Sequence, residues 1–388
     1  MHIVEIPSFF PPYGGEFCLE QAKALKALGH EVRILSNVQL SVKRSLKDFL
    51  GYSYGRWTEN IEGVEAYRSY QRGIPKVIRP NVRHWVSITM SMFGDYVKRY
   101  GKPDVLHAHC AKWAGYAAMK ISERYGIPYV ITEHLSIQIF EGEFGPAPTK
   151  AWQVPMLRRA YEHADRVVTV SEKWAESVAC YFGKNYRWTC ISNIVDTDFF
   201  HYRQRESREG RPFRFCCMAN YIPLKGYDVL LAALERVRHH NVELHVAGFD
   251  TDSDAMHRQV TMMALLERVV QHGRMNKEQV RELMWHCDAL VLASRSEVQP
   301  LCVLEAMSTG IPVVATEVVP PSERIEGATL IVPVDDVKAL AQAMDEVIER
   351  EAPDGEALSQ KVAEIASPSL VARKLEGVFS SLISQPAP

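Results

Sequence analysis

Between Ala293 and Ala315 the chain reads ASRSEVQPLCVLEAMSTGIPVVA. The apolar run before it ends near Ala293 as a buried strand, and a loop holding Glu297 follows. A helix opens around Leu301, carries Glu305 in its first turns and stops at Gly310. Pro312 then begins a second strand. The backbone N–H groups of Leu301, Cys302 and Val303 have no partner within their own helix, so this helix start is suited to an anion such as a diphosphate. A carboxylate one turn inside can accept two hydrogen bonds from a diol, and one in the loop can do the same for further hydroxyls. Two glutamates eight residues apart are common on solvated surfaces. The surrounding strand–loop–helix–Gly–Pro frame makes this pair a candidate site.

The same alternation extends in both directions. Upstream, strands are expected at His2–Ile6, Glu31–Leu35, Val105–Ala108, Tyr129–Thr132, Val167–Val170 and Trp188–Ile191, with helices at Phe17–Leu28, Ala111–Tyr125 and Ser171–Phe182. In the second half, strands are expected at Phe213–Met218, Val242–Ala247, Ala289–Ala293, Pro312–Ala315 and Thr329–Val332. Helices fall at Tyr227–Arg238, Lys277–His286, Cys302–Thr309 and Val337–Arg350. Near-strict alternation predicts parallel sheets with right-handed crossovers, an α/β fold of two doubly wound, Rossmann-like domains. The polar segment Asp196–Arg211 breaks the pattern and reads as a linker. Ligands in such sheets bind at the carboxyl ends of the strands, so the two domains are expected to face each other across a cleft.

Composition narrows the function. The chain has 388 residues, 47% hydrophobic and 24% charged, with a net charge of −2, so nothing draws it as a whole to nucleic acid. Eight cysteines without CxxC spacing suit a reduced, cytoplasmic protein. The start MHIVEIPSFF has no signal-peptide pattern, and no apolar run reaches the length of a membrane span. Charge is uneven, however. Residues 41–100 hold 11 Lys/Arg against 5 Asp/Glu. There Arg68, Arg72, Lys76, Arg79, Arg83, Lys98 and Arg99 are interleaved with Tyr67, Tyr70, Trp85, Phe93 and Tyr96. Two readings stay open for this stretch: a solvated helical surface with a buried aromatic face, or a patch that docks on an anionic membrane surface or a diphosphate-lipid acceptor.

The segment at Glu297–Pro312 resembles the E-x7-E signature of the retaining glycosyltransferases of family 4, which have the GT-B fold, and the resemblance extends over nearly the whole chain. SNIVDTDFF (Ser192–Phe200) is similar to the family's PNGVD-x-x-x-F junction, and MANYIPLKGYDVLLAAL (Met218–Leu234) to its GRL-x-x-x-KG-x-x-x-L-x-x-A motif. DVLHAHCAKWAGYAA (Asp104–Ala118) and IPYVITEHLS (Ile127–Ser136) resemble its histidine-bearing strand ends, and PPYGGEF (Pro11–Phe17) its first glycine loop. The resemblance implies a hexosyltransferase that takes a UDP- or GDP-sugar as co-substrate, uses no metal or cofactor, and serves a glycan or lipid-linked acceptor in surface polysaccharide or glycoconjugate synthesis. It implies an acceptor-side domain over 1–198, a donor-binding domain over 199–366, and a terminal helix in 367–388 that crosses back to the first domain. Glu305 would bind the ribose, Glu297 the sugar hydroxyls and Lys225 the diphosphate. His109 would donate to the transferred sugar. His134 would lie beside it, and Gly14 and Gly15 would allow close backbone approach to a ligand.

His107 and His109 share a face only if their strand runs through both; read as ending near Ala108, it leaves His109 in the turn and lets one of the two reach the cleft. With no Cys or carboxylate cluster joining them, a zinc pair is not expected. No third glycine completes GxGxxG after Gly14–Gly15 or after Gly248, which argues against a nicotinamide enzyme. The chain also departs from the family pattern. Asn220 stands where the family has Arg, and Arg274 or Arg295 are the candidate replacements. Val298, Gln299 and Pro300 follow Glu297, and Glu317-Val-Val-Pro-Pro follows Thr316, where glycines are usual. Two alternatives therefore share the architecture: a sugar-nucleotide epimerase, and an inactive nucleotide-sugar-binding protein.

Overall fold

Apolar β-branched runs become the central strands of two parallel sheets, each described by itself below. The structure is a computed structural model that describes residues 1–40, 50–51, 54–145, 150–205 and 210–383. The front of the basic stretch (41–49, 52–53), part of the polar segment (206–209) and the last five residues lie outside the described residues. The chain divides into one unit of Met1–Ile194 with Pro368–Pro388 and a second of Val195–Ser367. Among the described residues no helix is long and apolar enough to cross a membrane.

In the first unit the strands are β1 (His2–Pro7), β2 (Glu31–Leu40), β3 (Gly55–Ile61), β4 (Val64–Arg72), β5 (Val105–His109), β6 (Tyr129–Glu133), β7 (Arg166–Thr169) and β8 (Trp188–Cys190). Their order is β3-β4-β2-β1-β5-β6-β7-β8, parallel except for the antiparallel pair β3–β4. The order reverses direction between β1 and β5, the place where doubly wound sheets bind ligands. Ile3, Val105 and Val130 from successive strands join Leu19, Ala22 and Leu25 of the helix Glu16–Ala27 in one core. The terminal helix Pro368–Ile383 adds Val371, Ala372, Leu375 and Phe379 to that core.

Two expectations change here. The hairpin β3–β4 is not among the expected strands, because its Tyr, Arg and Glu content hides the alternation; Glu62 and Gly63, at φ 48° and 86°, make its turn. Arg68, Arg72, Tyr67 and Tyr70 therefore lie on a strand, and only Arg79, Arg83, Lys98 and Arg99 belong to the helix Ile78–Tyr100. Arg68 is buried, with Glu59 and the Pro11 carbonyl accepting from its guanidinium, so it is no part of a surface patch. The helix expected from Ala111 begins regularly only at Tyr116. Before it, Cys110 and Trp113 take positive φ in a wider turn, and Glu133 accepts from the Ala111 N–H at 3.0 Å.

The second unit has strands β9 (Phe213–Met218), β10 (Val242–Ala247), β11 (Val269–Gly273), β12 (Ala289–Leu292), β13 (Val313–Thr316) and β14 (Thr329–Val332) in the order β11-β10-β9-β12-β13-β14, all parallel. This is the 3-2-1-4-5-6 order of a dinucleotide-type fold, with its reversal between β9 and β12. The edge strand β11 escapes a reading of the sequence because Gln271 and His272 interrupt its apolar run. The segment read as a linker is not free: Phe200 is in this unit's core, and Trp285 Nε1 donates to the His201 carbonyl at 2.9 Å. Helices such as Lys277–His286, with its Asn276–Gln279 capping box, begin with side-chain caps. The helices Glu16–Ala27, Tyr227–Arg236 and Leu301–Ser308 begin without one.

Candidate active site

Strand β12 is buried along its whole length and delivers the chain to a loop at the sheet's reversal point. Thr316 Oγ1 donates to the Ser294 carbonyl at 2.6 Å and so ties this loop to β13. Glu297 stands in it, and its Oε1 accepts from Ser294 Oγ at 2.7 Å and from Lys225 Nζ at 2.5 Å. Lys225 ends the short helical turn Pro223–Lys225 after β9, followed by Gly226 at φ 65°. A Cβ at Gly226 would stand 2.1 Å from the Ala293 carbonyl oxygen. Glycine is thus required where the two loops meet, and that contact sets Lys225 against Glu297. Pro300 precedes Leu301, Cys302 and Val303 without a capping side chain; its carbonyl accepts from the Val303 N–H at 2.9 Å, and the N–H groups of Leu301 and Cys302 are left to an outside acceptor.

Glu305 faces a cavity of about 540 Å³ with Asn220, Gly248, Phe249, Arg274 and Cys302 at the carboxyl ends of β9, β10 and β11. Burial raises its carboxyl to about 7, partly opposed by Lys277. Among the described residues no side chain donates to it. Asn220, which replaces the family's arginine, braces the next loop, its Oδ1 accepting from the Phe249 N–H at 2.9 Å. Of the two candidate replacement cations, Arg295 is committed elsewhere, paired with Asp228 at 2.6 Å and Asp335 at 2.7 Å. Arg274 lines the cavity and forms no ion pair among the described residues. The two departures from the family pattern meet: Gln299 hydrogen-bonds Glu323, a residue absent from the sequence reading, whose carboxyl burial raises to about 8.

In the first unit, Gly14 and Gly15 carry the chain from β1 into the helix Glu16–Ala27 at φ 86° and 90°. A Cβ on Gly15 would stand 2.1 Å from the Phe9 carbonyl oxygen. Phe17, from that helix, stacks on His134 with ring centroids 3.7 Å apart. The strand β5 runs through His109, so His107 and His109 share a face after all, and neither has any exposed surface. Beside them on β1 is Glu5, whose Oε2 lies 2.7 Å from His109 Nε2 and 2.8 Å from His107 Nδ1. A carboxylate does join the pair, contrary to the expectation from sequence. These three are the only such group among the described residues. Contacts of 2.7–2.8 Å between ligand atoms are hydrogen-bonding distances, shorter than the spacing of atoms that share a zinc ion at about 2.0–2.2 Å each.

This network fixes tautomers. Burial raises the Glu5 carboxyl, but His107 and His109 more than reverse this and hold it at about 2. Burial, reinforced by His107, lowers His109 to about 4 against the pull of Glu5. His109 is therefore a neutral ring donating Nε2–H to a carboxylate. Its Nδ1 must then accept from His134 Nε2, 3.2 Å away. The contact expected between His109 and a sugar is thus not available in this arrangement, because both of its nitrogens are used internally. His134 is the one histidine of the three with exposed surface. Burial, then the other two histidines, lower its pKa, while Asn193 opposes the shift.

Comparison with known proteins bears on the family and the fold. A sequence profile described as Glycosyltransferase Family 4 matches residues 14–199, and one described as Glycosyl transferases group 1 matches residues 212–350. The chain belongs to glycosyltransferase family 4. It is similar to TuaC of Bacillus subtilis (strain 168), by its name a glycosyltransferase of teichuronic acid biosynthesis. The two are 26% identical over 330 residues, which span 80% of this chain and 79% of the relative. A glycogen synthase of Mycobacterium tuberculosis is 25% identical over 342 residues, 82% of this chain and 78% of that one. The fold is GT-B: a sucrose-phosphate synthase from Thermosynechococcus elongatus superposes with a TM-score of 0.78 at 17% identity, over 99% of this chain and all of that one. HepE of Anabaena, in complex with UDP-glucose, gives 0.72 at 16% identity, over 98% of this chain and 100% of its own.

For this family member the sequence reading missed Glu5, Glu323 and the placement of Arg274. Glu5 had a signal, a lone acid inside an apolar strand, but its partners are a hundred residues away. Lys225, Glu297, Glu305, Asn220, Leu301, Cys302 and Val303 come together in the second unit, and Gly14, Gly15, His109 and His134 in the first. All eight cysteines are free; Cys180 is exposed, Cys190 and Cys302 are half-buried, and the other five are buried.

Proposed function

We propose that the chain moves a hexose unit from a UDP- or GDP-sugar to a hydroxyl of a glycan or lipid-linked acceptor, retaining the anomeric configuration and using neither metal nor cofactor. The observation that carries this reading is the Lys225–Glu297 contact beside an uncapped helix start, together with the cavity that Glu305 and Arg274 line. As the glycosidic bond breaks, the departing nucleoside diphosphate gains negative charge. Lys225 and the N–H groups of Leu301 and Cys302 act on that charge, and Arg274 supplies a second cation in place of the family's arginine. Glu297, anchored through Oε1, keeps Oε2 for the sugar hydroxyls, and Glu305 accepts from the ribose diol. In front-side attack the acceptor oxygen bonds to the anomeric carbon on the face the phosphate leaves, and that phosphate takes the acceptor proton. His134, held by His109 and Glu5, stands at the end of β6 in the first unit. The UDP-glucose bound by HepE supports a uridine donor by analogy. The reaction is placed in the cytoplasm, at a membrane face when the acceptor is lipid-linked.

The test is a thermal-shift panel of UDP, GDP, ADP and their sugar conjugates without added metal, run on the wild type and on Lys225→Ala. A rise for one nucleotide series, reduced in the variant, supports the site. No rise with any nucleotide at millimolar concentration overturns it. Proton NMR of the product then reads the anomeric configuration, and inversion would overturn retention.

A further inference from the structure

An apolar cavity of about 590 Å³ lies in the first unit and is lined by none of the donor-site residues. Its floor is Val82, Val86 and Met90 from the helix Ile78–Tyr100, Tyr116 from the next crossover helix, and Trp152 and Met156 from a third. Each of these helices leads back toward the amino end of the following strand, so its first turns lie at the carboxyl edge of the sheet. The cavity therefore opens on the ligand-binding edge of its sheet, as do the Gly14–Gly15 loop and His134. Its volume is that of a small-molecule site, well above a packing defect.

The rim is cationic where the floor is apolar. Arg79 and Arg83 are exposed and make no ion pair among the described residues; the Arg79 guanidinium rests over the Trp152 ring, 5.0 Å from its centre. Lys120, also on the rim, is shared with Glu123 at 2.7 Å. Just before the first helix, Ile74, Val77 and Ile78 are 59%, 39% and 38% exposed, an apolar lip leading to the mouth. A soluble glycan would leave the floor without a partner, and a bare anion would use only the rim. A long hydrocarbon chain ending in phosphate satisfies both, with the chain desolvated below and the phosphate held by two guanidinium groups.

We infer that this cavity binds the phosphorylated isoprenoid or acyl lipid that carries the acceptor. The inference rests on the transferase reading only for what the lipid carries, and its binding is measured apart from turnover. The probe is farnesyl diphosphate, with farnesol and inorganic diphosphate as controls, titrated calorimetrically into the full chain. The wild type should bind farnesyl diphosphate more tightly than either control. Val86→Trp, which fills the cavity, should abolish that binding, and the double variant Arg79→Ala/Arg83→Ala should weaken it at least about tenfold. Lys225→Ala should leave it unchanged, which separates it from binding at the donor site. The nucleotide thermal shift serves as the folding control for the cavity variants, and the ligand-free melting temperature for Lys225→Ala. Retained binding in both cavity variants, equal binding of inorganic diphosphate, or no binding in a protein that still responds to nucleotide would each overturn the inference. A missing nucleotide shift alongside intact farnesyl diphosphate binding would instead overturn the donor-site reading alone.

Discussion

Replacing Glu305 by Gln should make the empty protein more stable at pH 8 while weakening its response to nucleotide. Burial raises the Glu305 carboxyl from its ordinary 4.5 to about 7, and Lys277 relieves only part of this. Between those values the folded chain binds more protons than the unfolded chain, so the unfolding free energy falls as pH rises through that window. The penalty is absent below pH 4.5 and complete above pH 7, where it reaches about 3 kcal/mol. Solvent in the open cavity screens part of it, which leaves about 1–3 kcal/mol for the variant to recover. Gln keeps the shape and removes the charge. For a unit of this size, that corresponds to a rise of about 3–8 °C at pH 8, shrinking to under about 1 kcal/mol by pH 5. The assay is a set of thermal melts of wild type and variant at pH 5 and pH 8, each with and without the preferred nucleotide. Comparing the two proteins cancels the slope contributed by Glu323. If the variant is no more stable than the wild type at pH 8, or the difference is the same at both pH values, the carboxyl is not desolvated as described. If its nucleotide shift equals the wild type's, Glu305 does not bind the ribose.

Gly226→Ala should lose more than about 2 kcal/mol, because its Cβ collides with the Ala293 carbonyl at a left-handed φ; unchanged urea melts would show that the loops can part. Lys225→Ala should keep its melting temperature but lose about 10²–10³ in kcat, as removal of one transition-state charge partner does; undiminished turnover would remove it from the mechanism. Glu5→Ala should destabilise the first unit by about 1–3 kcal/mol at pH 7, since it leaves the buried His109 Nε2–H without an acceptor. That stability is present above the ordinary carboxylate range and lost as pH falls toward 2. Equal denaturant midpoints at pH 7, or a lost nucleotide shift from a residue outside the donor unit, would contradict this assignment.

Local chemistry made much of this protein legible in one dimension. Strands β12 and β13 are continuous runs buried along their whole length, so their two-sided burial is written in the residues themselves, and β9, β10 and β14 keep enough apolar residues to read as strands. The same holds for Lys225–Gly226 and for the frame of Glu297 and Glu305, where spacing along one strand–loop–helix unit sets the geometry. Reading failed where polarity depends on a neighbour. The β3–β4 hairpin and the edge strand β11 carry polar side chains because one side of each meets solvent or a polar partner, and no short window shows which side that is. The turn at Cys110–Gly115 reads as helix because its cause, the buried Glu133 that accepts from Ala111, lies on another strand.

Residue order alone thus establishes the alternation of strands and helices and the two sheets it implies, and it picks out the candidate residues for a nucleotide sugar. How those residues are employed waited on folding. It turned Asn220 and Arg295 into supports, left Arg274 facing the cavity, brought Gln299 to Glu323, and closed His109 between Glu5 and His134. Hydrogen bonds and burial are pairwise, which is why no local pattern could announce these roles. A side chain's charge state and free valence belong to the partners that folding brings to it, and for Glu5 and His109 those partners are a hundred residues apart in the chain.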